Sequence, residues 1–357
     1  MDLTDFFSGK RILVTGHTGF KGAWLCEILK MLGAETVGYS LEPPTEPSMF
    51  ELCKISAEMT SIIGDIRDLD KLKSVFHEYK PDIVFHLAAQ PIVRESYKNP
   101  VFTYETNVMG TVNVLECVRN TDSVRSFLNV TTDKVYRNNE WEWGYRENDE
   151  LCGFDPYSNS KSCSELVTYS YKNSFFTDGK TAISTARAGN VIGGGDFAAD
   201  RIVPDCVRAA KNHETITVRN PRSTRPYQHV LDALFAYILI AKGQFEDISL
   251  ADNYNIGPDD NGCCTTEKLV NLFTEKWGGL KWAGKFDNQF HEANFLRLDC
   301  SKIKARFAWR PVWDLETAVE KTVEWSKIFV DNGSAEELRD CTRRQIEKYI
   351  SDMEKFQ

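Results

Sequence analysis

The sequence predicts an α/β protein in which a doubly wound parallel sheet carries a smaller, mixed α/β lobe. Three observations lead there. Short β-rich runs alternate with helical stretches through the first half, the first run passes straight into the glycine-rich segment GHTGFKG, and the composition changes after residue 190. Strands that alternate with helices pair in parallel, because a parallel neighbour can be reached only by a long crossover.

The runs RILVTG, ETVGYS, SIIGD, DIVFHLAA, SFLNVTT and TAISTAR are the expected strands, each bounded by a segment long enough for a covering helix. After them GGGDF, RNPRSTRP and GPDDNG break the order into loops and short helices. Residues 1–190, with a return segment near 228–257, are expected to form the sheet domain. Residues 191–227 and 258–333 form the lobe, and 334–357 a helical tail with no identifiable chemistry.

Bulk properties narrow the function. The chain has 357 residues, 42% hydrophobic and 27% charged, enough for a substantial core. Its net charge of -9 argues against an extended nucleic-acid surface. Ten scattered cysteines without a CxxC pair read as reduced thiols, and six histidines at no ligand spacing predict no metal. The start MDLTDFFSGK has no signal-peptide pattern and LFAYILIA is too short to span a bilayer, so a cytoplasmic protein without membrane contact is expected.

In RILVTGHTGFKG a strand meets Gly16, Gly19 and Gly22 and then the helical AWLCEILKMLG. Glycines there let the backbone approach a pyrophosphate, and the helix amino terminus behind them favours its charge. That is the fingerprint of a Rossmann dinucleotide site. The second strand ends at Ser40 with Glu42 just beyond and no nearby Lys or Arg, which favours NAD over its 2′-phosphorylated form. In GDIRD, Asp65 either accepts from the adenine amino group, with Ile66 against the ring, or caps the helix LDKLKSVFHEY.

Tyr157 and Lys161 stand four apart in DPYSNSKSCSELV, and Tyr157 alone among thirteen tyrosines has that lysine. The spacing sets ammonium and phenol on one helix face, where the positive charge is expected to lower the phenol's pKa and make it a base.

With TGHTGFKG, HLAAQ, NVMGTVNVLE, the strand-end Thr132 and the YxxxK in order, the sequence resembles the extended short-chain dehydrogenase/reductase family over nearly its whole length. The resemblance implies a nucleotide-sugar lobe, at least a dimer, and a redox triad of Thr132, Tyr157 and Lys161. It implies further cofactor contacts from His17, Thr18, Phe20, Leu87, Ala88 and Ala89. Gln90, Arg94, Asn190, Arg201, Arg225, His229, His291 and Glu292 match positions that line sugar pockets in such enzymes.

Hexose 4,6-dehydratases of this family follow the threonine with Asp-Glu, whereas its epimerases usually have no acid and partner there. Here the pair is Asp133 and Lys134. The resemblance therefore implies elimination of water after oxidation at C4, with Asp133 protonating the departing hydroxyl. Lys134 is a C5 base if its pKa is lowered, or a charge beside the enolate; otherwise it is a surface lysine and Asp133 a cap.

Overall fold

A computed structural model describes residues 3–259, 262–284 and 296–355. Its main sheet joins β1 (Arg11–Thr15), β2 (Glu35–Ser40), β3 (Thr60–Ile63), β4 (Ile83–His86), β5 (Ser126–Val130), β6 (Ala182–Ala188) and β10 (Asn253–Ile256). The order is β10-β6-β5-β4-β1-β2-β3, and every pairing is parallel. The six expected runs are thus the first six strands, and β10 lies in the predicted return segment.

Among the described residues nine helices reach ten residues. They are α1 (Phe20–Met31), α2 (Leu69–Tyr79), α3 (Gly110–Arg119), α4 (Pro156–Phe175), α5 (Ile202–Lys211), α6 (Val230–Glu246), α7 (Thr266–Trp277), α8 (Leu315–Val330) and α9 (Ala335–Glu354). Strands buried on both faces need helices on both, and the apolar cores reflect that. Ile12 and Val14 face Trp24, Ile28 and the apolar helix α6; Leu13 and Val84 face Leu72, Phe76 and Val114. Helix α6 is buried from Val230 to Ala241, which explains its near-continuous apolar sequence.

The glycine-broken second half adds two small sheets. One runs β11 (Cys263–Thr265), β9 (Thr224–His229), β7 (Asn190–Ile192); the other pairs β8 (Ile216–Val218) with β12 (Trp282–Gly284). Val203, Val207, Ile216, Leu269, Phe273 and Val319 form their core. The tail is the amphipathic α9, opened by a capping box of Ser334 and Glu337.

Candidate active site

Strand order reverses between β1 and β4, and the carboxyl ends of the strands open there into a cleft of about 1000 Å³. Its floor is the glycine turn. Gly16 has φ +79°, and a Cβ on it would come within 2.7 Å of the Ala88 amide nitrogen. A Cβ on Gly22 would come within 2.1 Å of the Gly16 carbonyl oxygen. Only glycine lets β1, the turn and α1 close this tightly. The α1 N-cap, Gly19, has no side-chain cap, so the helix presents uncapped N–H groups at a cleft that Thr18, Gly19 and Phe20 line.

Ser40 closes the second strand, its hydroxyl 2.9 Å from that of Thr18, with Glu42 further along the wall. Asp65, Ile66, Leu87, Ala88 and Ala89 also line the cleft. Asp65 does not cap α2; Asp68 does, accepting from the Lys71 amide. Burial pushes the Asp65 carboxyl up, but hydrogen bonds from the Arg67 side chain and backbone outweigh it and leave the pKa below its ordinary value. His17 departs from expectation. It is wholly buried beneath the turn, its Nε2 2.7 Å from the Ser61 hydroxyl, and does not line the cleft.

Thr132, Tyr157 and Lys161 come together on the β5 side of the cleft. Asp155 caps α4 and Pro156 occupies its first turn, which fixes where Tyr157 and Lys161 point. Lys161 donates to the Val130 carbonyl at 3.1 Å, and burial brings its pKa down to about 8. Tyr157 is pushed up to about 12 by burial, with a hydrogen bond from Thr132 pulling the other way. The expected lowering by Lys161 is therefore not a property of the protein alone, because desolvation of the phenolate is the larger effect.

Asp133 is wholly buried, while Lys134 lines the cleft. Asp133 Oδ1 accepts from the Thr132 hydroxyl at 3.0 Å and from Lys134 Nζ at 3.1 Å. Its Oδ2 has no hydrogen-bond partner among the described residues and lies 3.4 Å from where a Cβ on Gly189 would be. Lys134 Nζ also reaches Asn190 Oδ1 at 3.4 Å. The lysine is thus a partnered group and not one pointing freely off the strand end.

Arg94, Asn190, Arg201 and Arg225 line the cleft. Arg201 pairs with Asp196 at 3.0 Å and Arg94 with Asp200 at 3.8 Å. Two of the predicted residues make other contacts. Gln90 is buried, donating to Thr103 Oγ1 and accepting from the Ile92 amide, where it builds the loop after β4. His229 is buried between Trp24 and Trp313 and caps α6 through Nδ1. Neither lines the cleft. His291 and Glu292 lie outside the described residues. Among the described residues no group of three His, Cys, Asp or Glu side chains could hold a metal, and no helix is long and apolar enough to cross a membrane.

Sequence reasoning missed three features. Arg219 lines the cleft and is held by Asp200 at 2.5 Å and Asp205 at 3.2 Å, yet in sequence it was one arginine among several. Lys21, inside the glycine motif itself, lines the cleft as well. Behind the triad, Glu165 of α4 pairs with Arg187 of β6 at 2.9 Å, each 1% exposed, and also accepts from Thr131 and Thr185. That network fastens α4 to the sheet, and no local spacing announces it.

A chain with this sheet, glycine turn and triad belongs to the family described as GDP-mannose 4,6 dehydratase, whose family model matches residues 13–322. The chain is 45% identical over 354 residues to the CDP-glucose 4,6-dehydratase of Salmonella typhimurium, covering 97% of this chain and 98% of that one. It is 29% identical over 289 residues to the dTDP-D-glucose 4,6-dehydratase of Dictyostelium discoideum, 74% of this chain and 62% of the other. Among solved structures, the UDP-glucose-4-epimerase of Stenotrophomonas maltophila with NAD and formylated UDP-arabinopyranose is similar at TM-score 0.79 and 21% identity, over 91% of this chain and all of that one. The dTDP-glucose 4,6-dehydratase of Bacillus anthracis in complex with NAD follows at TM-score 0.76 and 20% identity, over 92% of this chain and 100% of the other. At such identities the likeness is one of fold.

Proposed function

We propose that the protein is an NAD-dependent CDP-glucose 4,6-dehydratase, a hydro-lyase that converts CDP-glucose to CDP-4-keto-6-deoxyglucose. The observation that carries this reading is the 45% identity, over nearly the full length, to the Salmonella enzyme of that name. The cleft has the parts the reaction requires.

The uncapped amino terminus of α1 and the glycine turn would receive the NAD pyrophosphate, and Ser40 its adenine ribose. Glu42 on the same wall repels a 2′-phosphate. When bound, NAD supplies the hydride acceptor for C4 and the hydride donor for C6, so it is regenerated and the net reaction is loss of water. Tyr157, bonded to Thr132, takes the proton from the glucose O4 as the ketone forms. The ketone acidifies the C5 hydrogen. Elimination then needs one group to take that hydrogen and one to protonate the C6 hydroxyl, and the Asp133–Lys134 couple divides the work. Asp133, whose Oδ2 has no other partner, donates to the leaving oxygen. Lys134, once its proton has passed along the 3.1 Å contact to Asp133, takes the C5 hydrogen as a proton and sets the charge it regains against the developing enolate. Arg201, Arg219 and Arg225 are the diphosphate anchors, on the lobe formed by residues 191–227 and 258–333.

A 4-epimerase uses the same triad but has no leaving hydroxyl, so it has no use for Asp133. Dimerisation through the helices beside the site is part of this reading, supported by Leu166 and Tyr169, 53% and 64% exposed on α4. So are a cytoplasmic location, consistent with ten free thiols, and a role in making 3,6-dideoxyhexoses for a bacterial surface polysaccharide. Incubation with NAD and, separately, CDP-, dTDP-, UDP- and GDP-glucose tests the reading. The absorbance of a 4-keto-6-deoxy sugar in alkali is expected with CDP-glucose alone; a 4-epimer, or no product, overturns it.

A further inference from the structure

Lys21 stands in the first turn of α1, directly after the glycine turn, and its side chain enters the same cleft as the triad. There Nζ meets the Tyr237 hydroxyl of α6 at 3.2 Å and lies 5.7 Å from the centre of that ring. Among the described residues it forms no ion pair with a carboxylate. The charges that reach it come from Arg201, Lys161 and Lys134, all cationic, and from Asp133, whose carboxylate is already shared with Lys134. Tyr237 in turn feels Tyr157. Lys21 is therefore an ammonium placed at the reacting end of the cleft and left uncompensated.

We propose that Lys21 is a positioning residue for the redox cycle: its positive charge favours the neutral, reduced nicotinamide over the cationic, oxidised ring and so promotes the first hydride transfer. The inference rests on the functional reading above. A hydride passes only between groups in contact, so the ring must lie beside the sugar carbon whose O4 proton goes to Tyr157. In that step the C4–H bond breaks, two electrons and the hydrogen pass to the ring, the O4 proton goes to Tyr157, and C4=O forms. The ring loses one unit of positive charge. A neighbouring cation makes that loss favourable, and in a water-poor cleft the attraction or repulsion is weakly screened.

Lys21 is also a charge that pH can remove. Burial, then repulsion from Arg201, Lys161 and Lys134 against the pull of Asp133, brings its pKa down to about 7. The preference for the reduced ring should therefore be full in mildly acid solution and fade in mildly alkaline solution.

The test measures equilibrium affinities of the purified protein without sugar, NADH by its fluorescence and NAD by competition, from mildly acid to mildly alkaline pH. In the wild type the affinity ratio of NADH to NAD is expected to fall on the order of tenfold across that range, the scale of one unit charge several ångströms away in a protein interior. Lys21→Met, close in volume, is expected to lower the ratio in acid and to leave only the smaller fall that Lys161, brought down to about 8, contributes on the alkaline side, and Lys21→Arg to keep the ratio high until Lys161 titrates. A ratio that is flat in the wild type and unchanged in Lys21→Met overturns the inference while both nucleotides still bind. Failure of the wild type to bind either nucleotide would remove the functional reading and this inference with it.

Discussion

Lys134 Nζ and Asp133 Oδ1 lie 3.1 Å apart, and the carboxylate is wholly buried while the lysine is open to the cleft. In Asp133→Asn, elimination is expected to slow by about 100- to 10,000-fold, the usual range for loss of a general acid. Oxidation at C4 should persist, so the variant would accumulate reduced nicotinamide in the presence of CDP-glucose, visible in its near-ultraviolet absorbance. Equal loss of both half-reactions would remove Asp133 from the elimination.

Tyr157 gives a prediction about pH. Its phenol sits at about 12 because burial disfavours the phenolate, so the form that accepts a proton is scarce near neutrality in the protein alone. Binding of the oxidised dinucleotide brings a positive charge beside the ring and is expected to lower the value. Ultraviolet difference titration of wild type against Tyr157→Phe should show the phenolate of this residue appearing at lower pH with NAD than without it. An unchanged midpoint would mean that the cofactor does not activate the phenol.

The glycine turn predicts a graded loss. Gly22→Ala pushes a methyl group against the Gly16 carbonyl, at a cost of about 1–3 kcal/mol for overpacking. Quenching or enhancement of NADH fluorescence should then require far more protein, with secondary structure retained by circular dichroism.

The buried Glu165–Arg187 pair predicts a loss of stability. Glu165→Ala leaves the Arg187 charge uncompensated, and about 3–5 kcal/mol is expected from urea unfolding. Because α4 carries both Tyr157 and Glu165, loosening this network should also lower the turnover number more than it changes substrate affinity. A stable, fully active variant would show that the pair does not hold the catalytic helix.

Legibility followed the range of the interactions. The strands were readable because a run buried on both faces is mostly apolar, and the glycine turn and the shared face of Tyr157 and Lys161 because they depend on neighbours a few residues away. Polar residues beside those motifs were another matter. Gln90 and His229 sit where the sequence pattern suggests ligand contacts, yet Gln90 bonds Thr103 and the Ile92 amide and His229 accepts from the Leu231 amide, and only the packing reveals it. Asp65 and Asp68 compete for one helix cap three residues apart, and sequence alone could not award it. Glu165 meets Arg187 across two elements, and Lys21 becomes notable only when Tyr237, 216 positions later, is brought to its side. Such pairs have no period to betray them.

The tail had shown helical spacing and no purpose. In the fold, Arg339 and Arg343 of α9 reach Glu27 of α1, 312 and 316 positions earlier, and Tyr349 donates to Asp232 at the head of α6. Glu27 is 2% exposed, a carboxylate that water does not reach. A nascent chain lengthens from its amino terminus, so Glu27 is made 312 positions before Arg339 and keeps an unanswered charge until α9 leaves the ribosome. A helix made early in the newborn molecule is completed by one made much later.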